Sequence, residues 1–286
     1  MKLLAHLFRL LFRLPPLRKR YYGMYRKVFR PRRLFSGHLF NIRIDRGIRM
    51  QVDAGEWIQQ HLFFFGEWDP PTSRFLKHHL KEGETFVDAG ANIGYFSLLA
   101  SRLVGSTGQV IAFEPAESLF RKLTANLDLN PGHCVLPVQQ ALWEAEASLD
   151  FHLPDPANAG MGSLFPHKER SGGRQKVRAT AFDTQSERLR LQKVHLIKID
   201  VEGAEWQVLM GMRQTLARHL PVLILEDNGK TNGQGGQGME AIEALLLPLG
   251  YEGYYLSAGG WPTSSPEASS CTNRVFMPRS LFPSTV

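Results

Sequence analysis

The chain has 286 residues, 43% of them hydrophobic, which is enough for one sizeable core with an appendage. Its net charge of +7 is unevenly spread, because residues 1–44 hold 12 Lys and Arg and no acidic residue, whereas the remainder holds 22 basic and 27 acidic residues. An acidic body argues against a nucleic-acid-binding groove. Cys134 and Cys271 lack a CxxC partner, which argues against a disulfide framework or a zinc site and is typical of a cytoplasmic protein.

Residues 1–14 are predicted to form an amphipathic helix. Its polar side chains recur every three or four positions and so form one stripe on an otherwise apolar cylinder: Lys2, His6, Arg9 and Arg13. Because Arg9 and Arg13 interrupt the apolar run, the segment is a poor signal peptide, and it is too short to span a bilayer. Pro15 and Pro16 end this helix, and a stretch rich in Lys, Arg and aromatic residues follows.

Residues 1–34 permit two interpretations. They suit an anionic membrane surface, because Leu and Phe can enter the acyl boundary while Lys and Arg stay among the headgroups. They also suit a helix that packs on the globular domain or on a partner. On the first interpretation the protein is cytoplasmic and peripheral at the membrane, and on the second it is cytoplasmic without a lipid contact.

From Glu84 onward, apolar runs typical of strands alternate with stretches typical of helices. The predicted strands are 85–88, 109–113, 135–138, 195–201, 221–225, 251–256 and 273–277. The predicted helices are 95–103, 118–127 and 240–247. This alternation implies an α/β fold with a doubly wound, mostly parallel sheet, an antiparallel terminal strand, and ligands at the carboxyl ends of the strands.

The chain therefore divides into three parts. A basic amphipathic N-terminal extension covers residues 1–44, a cap region covers 45–83, and a ligand-binding domain covers 84–286. Within the domain, residues 154–174 and 227–238 are typical of loops. Each is interpreted either as a surface insertion or as a lid over the ligand.

Glycines follow the first strand of the alternating region and precede a helix, which places backbone N–H groups and a positive helix end beside a ligand. Gly90 and Gly94 allow close approach of the backbone, and Asp88 is a candidate to hold an amino group of the ligand directly or through water. Glu114 ends the next strand, 20 residues after Gly94, and suits a pair of ribose hydroxyls. Since Asn92 stands where the nicotinamide fingerprint GxGxxG has a glycine, the loop suits a nucleoside without a pyrophosphate.

Five segments of the chain together carry a family resemblance: VDAGANIGYFS at 87–97, AFEP at 112–115, L-x-x-N at 123–126, LIKIDVEGAE at 196–205 and NRVFMP at 273–278. They are similar to the FkbM family of S-adenosylmethionine-dependent methyltransferases, and the similarity covers about residues 84–228. The resemblance implies a class I methyltransferase fold (Rossmann-like), S-adenosylmethionine as cofactor, and O-methylation of hydroxyls on sugars, glycolipids or polyketides.

The resemblance also implies roles for individual residues. By position, the cofactor contacts would be Asp88, Gly90, Asn92 and Gly94 in the loop, Glu114 at the ribose, and Gln140 and Ala141 at the adenine. Asn126 is expected to fix the Glu114 loop through its side-chain amide rather than contact the ligand.

Methyl transfer to a hydroxyl needs a base near the methyl group, because a protonated alcohol oxygen is a poor nucleophile. Lys198, Asp200 and Glu202 alternate along the strand predicted at 195–201 and are expected to share one face. Asp200 and Glu202 are therefore candidate bases, and Lys198 is expected to neutralise one of them or to orient the acceptor. A structural ion-pair network is the alternative, in which Glu205 is a first-turn helix acid.

A metal-assisted transfer is a further alternative. Glu226 and Asp227 end the strand predicted at 221–225, so Asp200, Glu226 and Asn228 are candidate oxygen ligands of Mg²⁺. Transfer with a general base and no metal ligand is preferred, because acidic residues at strand ends also occur without a metal.

The sequence thus predicts an S-adenosylmethionine-dependent O-methyltransferase whose acceptor is a small molecule or glycan, such as a saccharide, a glycolipid or a related natural product. Two alternatives stay open. One is a non-catalytic module that binds a nucleoside ligand or a membrane surface, and the other is methylation of another acceptor such as RNA. The acidic body and the lack of an Asn/Asp-Pro-Pro-Tyr motif for amino-group methylation disfavour nucleic acid as a partner.

Overall fold

Strands and helices alternate through the computed structural model, which describes residues 1–154, 160–166, 172–227, 237–269 and 271–281. The strands are β1 (Leu39–Ile44), β2 (Ile48–Asp53), β3 (Thr85–Ala89), β4 (Gln109–Phe113), β5 (Val135–Val138), β6 (Ala141–Leu142), β7 (Ala147–His152), β8 (Arg174–Thr180), β9 (Leu196–Ile199), β10 (Val222–Glu226), β11 (Tyr251–Leu256), β12 (Pro262–Thr263) and β13 (Asn273–Pro278). The α-helices are α1 (Lys2–Leu11), α2 (Pro15–Met24), α3 (Trp57–Phe65), α4 (Pro70–His79), α5 (Tyr95–Val104), α6 (Glu117–Asp128), α7 (Phe182–Arg188), α8 (Glu205–Met210), α9 (Arg213–His219) and α10 (Met239–Leu246).

The central sheet has the strand order β12-β11-β13-β10-β9-β3-β4-β5. Five adjacent strands are all parallel to one another: β5, β4, β3, β9 and β10. The next strand, β13, lies between β10 and β11 and is antiparallel to both. The predicted α/β class with a doubly wound, mostly parallel sheet and an antiparallel terminal strand is confirmed. The chain winds outward in one direction from β3 and in the other from β9, so the crevice that binds ligands in such sheets lies where these two strands end.

Helices cover both faces of this sheet. Successive strand residues point to opposite faces, so Phe86 and Val110 belong to one buried cluster while their neighbours Val87 and Ile111 belong to another. The first cluster includes side chains of α5, α6 and the N-terminal helices, and the second includes side chains of α8, α9 and α10. Burial on both faces explains why these strands are mostly apolar on both sides, with Asp88 of β3 and Lys198 of β9 as buried exceptions.

Helix α1 packs on the first of these clusters. Ala5 and Phe12 are buried, and the ring centroid of Phe12 lies 5.3 Å from that of Tyr21 and 5.1 Å from that of Phe64. The structure thus shows that one face of the N-terminal helix packs on the globular domain. Among the described residues, no helix combines the length and the apolar composition needed to cross a bilayer.

Side-chain caps begin the two helices of the cap region. Glu56 precedes α3 and accepts a hydrogen bond from the Gln59 N–H at 2.9 Å. Asp69 precedes α4, which begins with Pro70. The fixed φ angle of a proline suits the first position of a helix. Asp69 also accepts a hydrogen bond from the Asn273 amide at 2.7 Å, which joins α4 to β13. The predicted boundary between residues 44 and 45 lies at the end of β1, where the chain turns into β2.

A second sheet was not expected from the sequence. It has the order β6-β8-β7, with β7 antiparallel to β8. Because residues 153–173 separate the two paired strands, no short turn marks them as a hairpin. The loop predicted at 154–174 lies between them, partly outside the described residues, and most of the loop predicted at 227–238 is also outside them.

The strand predicted at 195–201 is shorter in the structure. β9 ends at Ile199, because Glu202 with φ 56° and Gly203 with φ 107° turn the chain away from the sheet. Glu202 therefore lies beyond the strand. The expectation that strand alternation places it on the same face as Lys198 is wrong. Glu202 reaches the same edge of the sheet through the turn instead.

Candidate active site

The carboxyl ends of four adjacent strands lie at one level of the sheet. Ala89 of β3 is in register with Ile199 of β9 and with Phe113 of β4, and Leu225 of β10 is also in register with Ile199. The residues that follow these positions therefore gather at one edge: Gly90, Glu114, Asp200 and Glu226.

A cleft opens at this edge. It is lined by residues from both sheets and the loops between them: Gly90, Asn92, Phe113, Glu114, Pro115, Leu119, Gln140, Ala141, Leu142, Phe151, Gly160, Gly162, Leu164, Asp200, Val201 and Glu202. Most of the predicted site residues are among them. Three predicted site residues do not line it: Asp88, Gly94 and Lys198.

The glycine loop fits tightly against the end of β9. Gly90 has φ 83°, and a Cβ atom built on it would lie 1.9 Å from the carbonyl oxygen of Asp200. Gly94 has φ 87° and precedes α5. Asn92 also adopts a positive φ of 53°, which its amide stabilises by accepting a hydrogen bond from the Ile93 N–H at 2.8 Å. Glycine at position 90 thus lets the loop lie directly against the end of β9.

Glu114 ends β4 and is held by the glycine loop. One carboxylate oxygen accepts a hydrogen bond from the Asn92 N–H and the other accepts one from the Ala116 N–H, both at 2.9 Å. Burial raises the pKa of Glu114 to about 8, although both N–H donors favour the ionised carboxylate. Each oxygen keeps a further lone pair, so the carboxylate can accept hydrogen bonds from two ribose hydroxyls.

Asp88 lies beneath the loop and not at the cleft surface. It is 1% exposed, and one of its carboxylate oxygens accepts a hydrogen bond from the Ser97 hydroxyl at 2.6 Å. Its other oxygen, Oδ1, has no hydrogen-bond partner among the described residues. Burial raises the pKa of this carboxyl group. Its predicted contact with the amino group of the cofactor stays a prediction.

Lys198 and Asp200 form an ion pair below the cleft. The Lys198 ammonium lies 2.8 Å from Asp200 Oδ2 and 4.9 Å from the ring centroid of Phe96. Burial alone would lower the pKa of Lys198, but the carboxylates of Asp200, Asp88 and Asp69 outweigh burial and raise it. The Lys198 ammonium thus neutralises the Asp200 carboxylate.

Further carboxylates crowd the same edge. Oxygen atoms of Asp200, Glu202 and Glu226 lie within 4.8 Å of one another, and Oε2 of Glu226 has no hydrogen-bond partner among the described residues. Burial first, and then the charges of Asp200, Glu202 and Glu205, raise the pKa of Glu226 well above its usual value. These three groups are the oxygen ligands available to a divalent cation, whereas the predicted ligand Asn228 lies outside the described residues.

Glu205 has the structural role expected for it. It is the first residue of α8, and its Oε1 accepts hydrogen bonds from the N–H groups of Gly203 and Val201 at 3.2 and 3.3 Å. Burial raises the pKa of Glu205 to about 7. This side chain holds the turn that places Glu202 at the cleft.

Asn126 joins the glycine loop to the hairpin that β1 and β2 form. Its side-chain nitrogen donates a hydrogen bond to the Ile93 carbonyl at 2.9 Å, and its side-chain oxygen accepts one from the Gln51 N–H at 2.8 Å. The expected structural role is therefore present, but the partner is the glycine loop and not the Glu114 loop. Since Gln51 belongs to β2, the cap region supports the glycine loop through Asn126.

Several functional residues were missed by the sequence analysis. Those that line the cleft come mainly from the unexpected second sheet and its loops: Leu142, Phe151, Gly160, Gly162 and Leu164. The alternating pattern of Ala147, Leu149 and Phe151 was an available signal for β7. Asp183, whose role the sequence leaves open, caps α9 by accepting hydrogen bonds from the N–H groups of Gln214 and Thr215 at 2.9 and 2.8 Å.

The cleft fits S-adenosylmethionine. The buried carboxylate of Glu114 can accept the ribose hydroxyls, the side-chain-free backbone at Gly90 permits close approach, and Phe113, Leu142 and Phe151 offer apolar surface for an adenine ring. Within the described part of the cleft, no Lys or Arg lines the wall, as expected for a ligand without phosphate groups.

Known proteins match the same part of the chain. The FkbM methyltransferase domain model matches residues 88–252. The hexuronic acid methyltransferase AglP of Haloferax volcanii is 32% identical over 168 residues, which cover 59% of this chain and 65% of AglP. Methyltransferase sdnD of Sordaria araneosa is 29% identical over 205 residues, which cover 61% of this chain and 76% of sdnD.

A solved structure is also similar in outline. The crystal structure of the methyltransferase FkbM from Methylobacillus flagellatus KT has a TM-score of 0.45 and 14% sequence identity, and the match covers 77% of this chain and 52% of that chain. Because the family domain extends over more than half of this chain and contains the glycine loop, Glu114 and the end of β9, the chain belongs to the FkbM methyltransferase family.

Proposed function

We propose that the protein transfers the methyl group of S-adenosylmethionine to a hydroxyl of a saccharide, a glycolipid or a related natural product. The observation that carries this proposal is the contact between Gly90 and Asp200, which puts an acidic residue at the end of β9 directly beside the cofactor loop. AglP, a relative at 32% identity, is named a hexuronic acid methyltransferase, which supports a saccharide acceptor.

The residues around Asp200 suit proton removal from an alcohol. When bound, S-adenosylmethionine supplies an activated methyl group on a sulfonium. The cofactor would supply this methyl group to the acceptor oxygen and leave as S-adenosylhomocysteine, and the Asp200 carboxylate would take the hydroxyl proton. Lys198 fixes this carboxylate from below at 2.8 Å, and Glu202 is placed to orient the acceptor by accepting a hydrogen bond.

The charge of the site favours a neutral hydroxyl over an acceptor carboxylate. Asp200, Glu202 and Glu226 present carboxylate oxygens within 4.8 Å of one another, and Lys198 is the cation that neutralises Asp200. An anionic acceptor oxygen would meet this negative potential, whereas a hydroxyl would find acceptors for its proton. We therefore propose methylation of a hydroxyl even where the acceptor sugar also carries a carboxylate.

A divalent cation is a second candidate for activating the acceptor. Asp200, Glu202 and Glu226 present oxygens within 4.8 Å of one another, which is compatible with Mg²⁺ coordination. A metal would replace the base by lowering the pKa of the acceptor hydroxyl, and the transfer would then depend on added Mg²⁺.

The test is transfer of a labelled methyl group from S-adenosylmethionine to neutral glycosides, hexuronic acid glycosides and RNA, each with Mg²⁺ or with EDTA. We expect labelled glycosides whose methyl group survives mild alkali, as an ether does and a methyl ester does not. Loss of turnover in EDTA would assign the step to a metal. Alkali-labile product, or label in RNA, would contradict hydroxyl methylation of a glycan. Binding of S-adenosylhomocysteine without turnover on any acceptor would favour the non-catalytic module.

A further inference from the structure

Helix α1 has two apolar faces, and only one of them is covered. Ala5 and Phe12 are buried against the domain, and Phe8 is partly buried beside them. Leu3, Leu7 and Leu10 project from the other side and are 86%, 51% and 57% exposed. Because each residue rotates by about 100° around a helix, these leucines form a stripe opposite the buried face. We call it the outer leucine stripe.

Basic residues border the outer leucine stripe. Lys2, Arg9 and Arg13 lie between it and the buried face, and the guanidinium of Arg9 covers the ring of Phe63 with 5.1 Å from Cζ to the ring centroid. Residues 1–44 hold 12 Lys and Arg and no acidic residue. Within the described residues, Arg18 is the one of these twelve that forms an ion pair, with Glu67 at 3.2 Å. The positive charge is therefore free to act on a partner.

We infer that the outer leucine stripe inserts into the surface of an anionic lipid bilayer while α1 stays packed on the domain. The stripe is narrow, and the cations along one side of it match anionic headgroups in charge. Since Ala5 and Phe12 already occupy the protein-facing side, the helix need not leave the domain to bind lipid. The two interpretations of the N-terminal segment are then both satisfied, each by one face.

The same arrangement places the cleft near the bilayer. Helix α1 contacts α3, and Ile58 of α3 lies against Gly160 in the cleft wall, where a Cβ atom on the glycine would be 2.6 Å from Ile58 Cδ1. Two helices, α1 and α3, thus lie between the lipid surface and the cleft wall. If the proposed function holds, this position suits an acceptor glycan that is attached to a lipid, although membrane binding itself does not depend on catalysis.

Vesicle flotation of the purified full-length protein tests the inference. We expect binding to vesicles of phosphatidylcholine mixed with phosphatidylglycerol, little binding to phosphatidylcholine alone, and a several-fold loss of binding at high salt. No flotation on the anionic vesicles at low salt would overturn the inference, and so would equal binding to both vesicle types at every salt concentration.

A leucine variant and a matched control distinguish binding through the outer leucine stripe from nonspecific hydrophobic binding to the vesicles. Leu3→Ser/Leu7→Ser/Leu10→Ser should lose most of the binding, whereas Leu136→Ser/Leu247→Ser/Leu281→Ser, which changes three exposed leucines elsewhere, should bind like the wild type. Equal flotation of both triple variants would overturn the inference.

Cofactor binding provides the fold control, and a charge variant provides an independent arm. Both leucine variants should bind S-adenosylhomocysteine with the wild-type affinity. If the stripe variant does not, Lys2→Gln/Arg13→Gln, which changes only exposed side chains, replaces it. This variant should bind anionic vesicles several-fold more weakly, and unchanged binding would overturn the inference. Since flotation needs no acceptor, its failure would leave the proposed methyl transfer untouched.

Discussion

The ammonium nitrogen of Lys198 lies 2.8 Å from Oδ2 of Asp200, with 3% of the lysine side chain and 33% of the aspartate side chain exposed. A buried ammonium depends on its carboxylate partners, since water does not reach it. The cation is therefore structural, and its charge acts on Asp88 and Asp69 in addition to Asp200.

Replacing Lys198 should destabilise the fold. Lys198→Met leaves Asp88, Asp69 and Asp200 without their cation, and we expect a loss of about 3 kcal/mol in the free energy of unfolding at neutral pH. This loss should be smaller in acid. The pKa values of Asp88 and Asp69 are raised, so these carboxyl groups take up protons at a higher pH than an exposed aspartate and then no longer need the cation. Urea unfolding at two pH values measures both effects.

A surface ion pair supplies the control for Lys198. Lys176 lies 3.2 Å from Asp150 and its side chain is 68% exposed, so Lys176→Met should change the free energy of unfolding by less than about 1 kcal/mol. Similar losses in the two variants would show that Lys198 is not a buried, obligatory partner.

Gly90 is needed for close approach to β9 and not only for its backbone angle. Gly90→Ala would put a Cβ atom 1.9 Å from the Asp200 carbonyl oxygen, so we expect the affinity for S-adenosylhomocysteine to fall by more than about tenfold. Gly132 has the same φ of 83° and nothing within 4 Å of an added Cβ atom, so Gly132→Ala isolates the cost of the angle alone. Calorimetric titration of both variants should show weak binding only for Gly90→Ala. Equal affinities would contradict the contact.

Cofactor affinity should rise with pH because of Glu114. Burial raises the pKa of Glu114 in the free protein to about 8, and ribose hydroxyls that donate hydrogen bonds favour the ionised form and so lower this pKa in the complex. Binding then releases a proton below about pH 8, and the affinity for S-adenosylhomocysteine should increase between pH 6 and pH 8. In Glu114→Gln the affinity should be lower, and this dependence on pH should vanish.

The raised pKa of Glu114 also makes the stability of the free protein depend on pH. This stability falls as the pH rises, whereas the affinity for the cofactor increases. Because the folded-state pKa of Glu114 is raised from the usual 4.5 to about 8, its contribution to stability is complete below pH 4.5 and is lost as the pH rises through 8. S-adenosylhomocysteine should therefore raise the melting temperature more at pH 8 than at pH 6. A larger shift at pH 6 would contradict the assignment of Glu114 to the ribose.

Asn126 should affect both stability and cofactor binding, whereas its neighbour Asn130 should affect stability alone. Asn126→Ala removes the bonds to the Ile93 carbonyl and the Gln51 N–H, so we expect about 2 kcal/mol of destabilisation and about tenfold weaker binding of S-adenosylhomocysteine. Asn130 makes comparable bonds to the N–H and carbonyl of Arg49 at 2.9 and 2.7 Å and does not touch the glycine loop. Unchanged binding in Asn126→Ala would show that the hairpin does not hold the loop.

Apart from β12, the strands of the central sheet and the cofactor loop could be predicted because local patterns encode them. The run from Thr85 to Gly94 contains a buried strand, a glycine turn and a helix start in sequence, and Glu114 follows the next strand at a fixed distance. Their meeting at one edge follows from parallel pairing, which the alternation of strands and helices implies.

The parts that could not be predicted depend on long-range or conformational detail. β7 and β8 pair across a separation of more than 20 residues, so no local signal links Phe151 to the cleft. Strand alternation also failed after Ile199, because the positive φ of Glu202 is fixed by Gly203 and by the hydrogen bonds of Glu205 rather than by a strand pattern. Whether Asp88 faces the cleft or lies beneath it depends on burial that sequence spacing does not report.

The most direct test of the proposed mechanism compares methyl transfer and cofactor affinity in Asp200→Asn. Asparagine keeps the size and much of the hydrogen bonding of the aspartate side chain but cannot accept the proton. We therefore expect an affinity for S-adenosylhomocysteine close to that of the wild type. The turnover on a glycan acceptor should be lower by about 10²–10⁴-fold. Wild-type turnover with intact cofactor binding would contradict the assignment of Asp200 as the base.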